Sequence, residues 1–497
     1  MPYYADLREF LAVLEAKGQL VRIRRPVVRE TELMPLYRLQ FRGLPEKSRR
    51  AFLFENVVGV RGDKFEGMMA CGVYGASDEI YALGMASEVS EIQKRWVEAL
   101  LHPLPPVIIE SGPVHEEIVT GKRLEETGLG TILPPVEEPG FSGTIRTTTQ
   151  IVTRDPETGI RNVGAYSGHI HGKTRIAWGV GRNTHGYAHW QKSKQQGKPL
   201  DAAIIVGATP NLTFAAATNV PYGVDEYSVA GGIAGEPMKL VKCRTIDLEV
   251  PATAEIVIEG KVLTDDFAER GSFGEYPGYM YEGTGDYVPM MEVTCITHRK
   301  RPIFTPFFVG LAPTDSYIMS RVRRETVYYK FLKHDCNIPG IMEVAFPEPM
   351  AGSGYCVIRI KKTHPSQPWQ ILNCVAGYAS GAGKVIIVVD EDVNPRDYSA
   401  VMWALSYAMQ PHKDMRIVTG KSPGLDPSGY PPGASREERR FPQPHGSSAV
   451  LIDATRKWPY PPVGLPKKEY MERAVEIWEQ ENLPTLHLRE QIGRAHV

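Results

Sequence analysis

Residues 241 to 279 read VKCRTIDLEVPATAEIVIEGKVLTDDFAERGSFGEYPGY. The stretch opens as a strand pattern. Ile246, Leu248 and Val250 alternate with polar residues, Pro251 breaks the run, and Ile256, Val257 and Ile258 resume it. The pattern predicts that the chain leaves the sheet at Asp265 and Asp266. A loop crowded with ionisable groups follows, with Glu269, Arg270 and Glu275 set among Gly271, Gly274 and Gly278. Glycines let a backbone turn tightly and approach a ligand. A loop held by strong strands and bearing carboxylates and an arginine suits proton transfer. The same composition also describes a solvated charged turn.

Working outward, strand patterns dominate from about 116 to 301. Thr147 to Thr153 alternates, Arg175 to Gly179 is short and apolar, and Ala202 to Val206 is a continuous buried run. Turn signals such as Asp155-Pro156 separate them, so a barrel-like β domain is expected. Upstream, Asp6 to Lys17 reads as a helix capped by Asp6, with Leu7, Phe10, Leu11 and Leu14 on one face and Gly18 at its end. Further helices are expected over 30–40 and 86–101, with strands at 52–54 and 68–73. Downstream, 324–332 and 399–408 read as helices and 355–360 and 385–389 as strands, which suggests a small parallel sheet. Residues 423–446 form a long Pro- and Gly-rich loop. A last amphipathic helix is expected over 467–481, with Met471, Ala474, Val475 and Trp478 on one side. The closing GRAHV has no structural pattern.

With 497 residues the chain exceeds what one core usually supports. A hydrophobic share of 42% and a charged share of 23% are ordinary for a globular protein. The net charge of −1 gives no global field favouring nucleic acid or an anionic membrane. The six cysteines, Cys71, Cys243, Cys295, Cys336, Cys356 and Cys374, form no CxxC pair and read as free thiols in a reducing compartment. The opening MPYYADLREF lacks a basic region followed by a long apolar run, and no apolar run reaches ~20 residues. A cytoplasmic protein without a signal peptide or membrane span is expected.

The phrase DLEVPATAEIVIEG followed by GSFGEYPGY resembles the signature of the UbiD family of decarboxylases, which use prenylated flavin mononucleotide. GLAPTDSYIM (310–319) and SSAVLIDATRKWPY (447–460) are similar to further family phrases. The resemblance implies an α+β multidomain chain. It comprises an N-terminal α/β domain (1–115), a central split β-barrel flavin-binding domain (116–301) and a return segment to the N-terminal domain (302–324). A C-terminal α/β oligomerisation domain (325–445) and a tail with a helix docking on a neighbouring subunit (446–497) complete it.

It also implies a site. Asn162, His185 and Glu226 match the family's ligands for Mn2+, or a similar divalent ion, that also takes the flavin phosphate. An amide oxygen, an imidazole and a carboxylate suit such an ion. Taken singly, each has an ordinary alternative as a turn, core or surface residue. Gly164, Ala165, Tyr166, Ser167, Thr184, Ala216, Ala217 and Thr218 are implied cofactor contacts. Glu226 and carbonyls around 216–218 are the implied K+ site. Lys384 resembles a lysine placed near the flavin, and reads equally as a surface lysine.

The catalytic set departs from the family pattern. An arginine expected five residues after Asn162 is Ser167, and the first expected acid is Arg270, with Glu269 one residue upstream. Glu275, the second acid, is retained. One reading is rewiring: Arg270 binds the substrate carboxylate and Glu275 donates the proton, helped by Glu269, His169 or His171. The other is a changed task.

The implied activity is reversible non-oxidative decarboxylation of an aromatic, heteroaromatic or α,β-unsaturated acid through a covalent prenylated-flavin adduct. Implied partners are a small aromatic carboxylic acid and CO2, a flavin prenyltransferase, and further copies in a homodimer or homohexamer. A non-catalytic or partner-dependent subunit of an aryl carboxylase and an FMN oxidoreductase are the alternatives. Tyr276, Pro277, Tyr279, Met280, Tyr317, Ile318 and Met319 are the expected apolar lining of a pocket for a flat acid.

Overall fold

The computed structural model describes residues 2–132, 134–141, 146–147, 149–181, 184–275, 277–281, 287–348, 354–378, 383–421, 426–429, 447–464 and 466–486. Most of the expected 423–446 loop, Tyr276 and the closing GRAHV lie outside them. The chain forms two compact units, 1–323 and 324–497.

The first unit is built on a closed antiparallel barrel of six strands. The strands are Thr149–Arg154, Arg161–Ile170, Arg175–Gly179, Leu200–Val206, Ile256–Glu269 and Tyr287–His298. The ring runs Arg175–Gly179, Arg161–Ile170, Thr149–Arg154, Leu200–Val206, Ile256–Glu269, Tyr287–His298 and back to the first. β-Branched and apolar residues suit these strands, and Ile151, Trp178, Ile204 and Ile258 are fully buried. The barrel domain expected from the alternating pattern is therefore present.

Two details differ from expectation. The Ile256–Glu269 strand does not end at Asp265-Asp266 but resumes pairing at Phe267 with Pro289 and continues to Glu269 with Tyr287. Residues 263–266 stand opposite Met290 alone, so the acidic pair marks a bulge. The bulge's Leu263 carbonyl accepts from Trp190 Nε1 at 3.0 Å, and Asp266 pairs with Arg175. The region also contains helices that period-2 reading missed: His185–Gln195, Pro210–Ala216 and Glu226–Ala234. The Glu226–Ala234 helix carries Gly231 and Gly232 because it packs closely on 99–104. A Cβ at 231 would meet the Leu104 carbonyl at 2.5 Å.

Before the barrel, the Leu7–Ala16 helix is capped by Asp6 as expected, its side chain accepting from Glu9 N–H at 2.9 Å. A mixed sheet orders Leu20–Ile23, Ala51–Phe54, Met68–Cys71 and Ile303–Phe304, so the chain returns to this sheet after the barrel. The second unit holds a five-stranded sheet ordered Ile341–Ala345, Tyr355–Ile360, Val385–Asp390, Ser447–Ala454, Met415–Lys421. Only its three central strands are parallel; both edges are antiparallel. Of the Lys468–Gln480 helix no residue is buried. Among the described residues no helix is long and apolar enough to cross a membrane.

Glu255 ties the N-terminal helix to the barrel. It is fully buried, accepts from Arg8 Nε at 2.9 Å and Nη2 at 2.8 Å, and lies 3.5 Å from Arg299 Nη1. Ile303 N–H donates to it at 3.1 Å. Removing one partner of a buried pair strands the other charge. Glu255→Ala is expected to lower the first unit's stability by about 3–5 kcal/mol, read from the denaturant midpoint. A loss below about 1 kcal/mol would show that the cluster is water-accessible.

Candidate active site

One cavity of about 670 Å³ opens in the first unit. Its wall includes Asn162, Gly164, Ala165, Tyr166, Ser167, Thr184, His185, Ala216, Ala217, Thr218, Glu226, Arg270 and Glu275, all singled out from sequence. Two candidates stand elsewhere. Glu269 ends its strand on an exposed face and is not in the wall. Lys384 belongs to the second unit, where its ammonium meets Asp426 and Ser428, each at 2.6 Å, beside a separate cavity. Among the described residues of the expected apolar lining, only Met319 is in the wall, joined by Phe307 and Val309. Tyr317 and Ile318 are core residues, 1% exposed, and Tyr279 is 65% exposed. Consecutive residues of a helix point in different directions, so 317–319 cannot all face one cavity.

At one part of the wall lie Asn162, His185 and Glu226. Asn162 sits in a barrel strand opposite Thr153. His185 and Glu226 each open a helix. Thr184 caps the first, accepting from Tyr187 N–H at 3.4 Å, and Asp225 caps the second, accepting from Tyr227 N–H at 2.9 Å. Helix N-termini favour anions. Arg161 fixes this corner by donating to Asp225 at 2.8 Å and to Glu249 at 2.9 Å. Glu226 is buried and accepts from Val163 N–H at 2.7 Å; burial pushes its carboxyl up to about 8. Burial also lowers the His185 pKa, which favours the neutral imidazole a metal needs. Among the described residues no cluster of three His, Cys, Asp or Glu could hold a metal. The candidate set has only two such residues and an amide.

At another part lie Arg270 and Glu275. Gly179 makes room there: a Cβ would stand 2.5 Å from the Ser167 carbonyl and 3.4 Å from Arg270 Nε. The Arg270 guanidinium carbon sits 4.4 Å from the centre of the Phe273 ring, a cation–π contact. Glu275 heads a turn in which its N–H donates to the Tyr279 carbonyl at 3.0 Å and its carbonyl accepts from Gly278 N–H at 2.8 Å. Gly278, with φ +89°, permits that turn. His169 is buried against Phe273, and burial, then Arg270 and Arg146, lower its pKa to about 2. It is therefore neutral and is no proton donor at neutral pH.

Sequence reading missed Arg146, which also lines the cavity, 5% exposed. It forms a buried ion pair with Glu137, whose carboxyl burial pushes up to about 7. Its run, TIRTTTQ, matches no motif.

Three buried carboxyls thus titrate high: Glu137 and Asp315 at about 7 and Glu226 at about 8, each raised by burial first. A carboxyl whose pKa is raised on folding binds its proton more tightly in the folded state. The stability it contributes is complete below the unfolded value of about 4 and is lost as pH rises through the folded value. The protein without added metal is expected to lose melting temperature between pH 5 and 8. A flat or rising profile would show that these groups are paired or hydrated in solution.

Comparison with known proteins gives the family. Profiles of the 3-octaprenyl-4-hydroxybenzoate carboxy-lyase match in chain order: the N-terminal domain over 11–100, the Rift-related domain over 108–312 and the C-terminal domain over 316–454. A phenolic acid decarboxylase of Bacillus subtilis is 32% identical over 446 residues, covering 86% of this chain and 90% of that protein. An uncharacterised protein of Aquifex aeolicus is 31% identical over 510 residues, covering 96% and 98%. Among solved structures, the UbiD-class enzyme HmfF of Pelotomaculum thermopropionicum in complex with prFMN superposes with a TM-score of 0.80 at 27% identity, covering 95% of this chain and all of that one. The vanillic acid decarboxylase ShVdcCD of Sedimentibacter hydroxybenzoicus gives 0.79 at 26%, covering 97% and 100%. Three domains matched in order, together with near full-length relatives, place this chain in the UbiD family of carboxy-lyases.

Proposed function

We propose that the protein catalyses reversible non-oxidative decarboxylation of an aromatic or conjugated carboxylic acid with prenylated FMN. The observation that carries this is the gathering of Asn162, His185, Glu226, Arg270 and Glu275 on the wall of one cavity. Bound there, prenylated FMN would supply the electron sink that loss of CO2 from an sp² carbon requires and no side chain provides. The donors fit it. Neutral His185, the Asn162 amide and buried Glu226 would hold a divalent ion, and a cation would also offset the cost of burying Glu226 as carboxylate. K+ would take the carbonyls near Ala216–Thr218.

The chain's own work is positional and acid–base. Arg270 holds the substrate carboxylate with charge-assisted hydrogen bonds, its guanidinium packed on Phe273. Glu275, presented by its turn on the same wall, gives its proton to the carbon that loses CO2 and takes one back in the carboxylation direction. Phe307, Val309 and Met319 supply apolar surface for a flat ring. A partner-dependent subunit is the second reading. It is favoured by ShVdcCD, whose structures also contain ShVdcD.

Protein made together with a flavin prenyltransferase is expected to carry prenylated FMN and, in D2O, to release CO2 from at least one aromatic acid with deuterium placed at the vacated carbon of the product. Prenylated FMN without turnover, on the chain alone and with added homologous subunits, would overturn the proposal. Glu275→Gln is expected to lower turnover by about 10²-fold or more with the flavin spectrum unchanged; retained turnover would remove Glu275 from its role. Arg270→Ala is expected to lower kcat/KM by about 10- to 100-fold, and a wild-type rate would sink the clamp.

A further inference from the structure

Arg270 is not the only arginine on the Phe273 side of the cavity wall. Arg146 bridges to His169 on the neighbouring barrel strand, and Thr149 pairs with Tyr166 further along the same ladder. Directly opposed residues of an antiparallel pair share a face, and so do residues two apart. Arg146 therefore stands on the face that carries Ser167 and His169. The cation that position 167 lacks is offered from the adjacent strand, one diagonal step away, a distance that long side chains span.

The two arginines meet on one ring. The Arg146 guanidinium carbon lies 4.6 Å from the Phe273 centroid and that of Arg270 lies 4.4 Å from it. Both act on His169, which burial and their combined charge keep neutral. Like charges gathered in a buried wall repel unless anions join them. Glu137 answers Arg146 through Nη2. Arg146 Nε is buried and has no hydrogen-bond partner among the described residues, and neither does Glu137 Oε1. A guanidinium has five N–H donors in a planar fork, so one carboxylate at Nη2 leaves donor capacity on a residue that lines the cavity. Glu137 holds the fork in place, and with its carboxyl pushed up to about 7 it cancels only part of the positive charge near neutral pH.

We infer that Arg146 is a second substrate-binding arginine, oriented by Glu137, and that with Arg270 it selects an aromatic acid bearing a second negatively charged substituent. Arg270 takes the carboxylate that reacts; Arg146 takes the other anion. This rests on the aromatic-acid reading above and adds a substrate class to it.

The test is binding to the full flavin-loaded chain by calorimetry, with phthalate, isophthalate and terephthalate each set against its mono-amide. The amide keeps the shape and removes one charge. At one ring position the dianion is expected to bind about ten-fold or more tightly than the amide, as a charged hydrogen bond in a buried site requires. Arg146→Gln is expected to erase that preference. Arg146→Lys, which keeps the charge and loses the fork, is expected to retain part of it and serves should the glutamine variant fail to fold. Glu137→Gln is expected to reduce the preference without shifting the flavin spectrum. Equal affinity for dianion and amide at all three positions overturns the inference while leaving the decarboxylase reading intact, and so does a preference that survives Arg146→Gln. Absence of binding by every acid overturns both.

Discussion

The ladder between Ile256–Glu269 and Tyr287–His298 is the constraint on which the site depends. It closes the barrel on one side, since Tyr287–His298 also pairs with Arg175–Gly179. It also delivers the chemistry, because the chain leaves it at Glu269 and the next residue is Arg270. The bulge at 263–266 matters to both tasks. A break in register bends the strand and increases its twist, so residues past it need not follow the direction set by Ile256–Val262. The bulged carbonyl of Leu263 is satisfied by Trp190 from the His185–Gln195 helix. That helix opens with His185, which lines the cavity. One irregularity thus ties the His185–Gln195 helix to the strand that leads into Arg270 through a hydrogen bond.

A hairpin of this strength leaves little freedom to what it carries. Phe273–Gly274 pairs with Met280–Tyr281 in a second, smaller hairpin, and Gly274 N–H donates to Glu138 at 2.9 Å. The segment 137–146 and the segment 270–275 are therefore tied together at two points, the Glu138–Gly274 bond and the Phe273 ring between Arg146 and Arg270. A substrate anion held by either arginine is referred to the same rigid frame as Glu275. Orientation of this kind is the larger part of what a protein contributes when the electron sink belongs to a cofactor.

The sequence was legible where one physical rule acted alone. Period-2 alternation and β-branched runs gave the barrel strands, and Asp6 and Gly18 gave the first helix its ends. It failed where two demands competed. Asp265-Asp266 looks like an exit from a sheet because bulges and turns use the same residues. The Glu226–Ala234 helix, EYSVAGGIA, has poor intrinsic propensity because its glycines serve close packing on 99–104. The His185–Gln195 helix lies in a region whose pattern is dominated by strands, and no helix is expected there from that pattern. Most residues drawn from motif resemblance line one cavity, though Glu269 and Lys384 are not among its lining. Those drawn from hydrophobicity alone, Tyr279, Tyr317 and Ile318, do not, since an apolar side chain in a sequence is far more often core or surface than lining. Arg146 was invisible because nothing local marks it; its place follows from a strand register that only the closed barrel defines.

That register explains how a site can keep its charge while its residues change. A carboxylate needs a guanidinium at a point in space, not at a place in the chain. On a barrel wall each such point can be reached from several positions: from the strand itself, from a directly opposed residue, or from a diagonal neighbour with a longer side chain. Ser167 is small and Gly179 opposite it has no side chain, so the centre of this patch is empty of bulk. Arg146 approaches from beside His169 and Arg270 from above Gly179. Placing an arginine at 167 without removing one of the others would put three guanidinium groups in one buried pocket, with desolvation and repulsion both opposing it. The small residues at 167 and 179 and the two arginines on the Phe273 ring therefore form one patch, in which positive charge comes from 146 and 270.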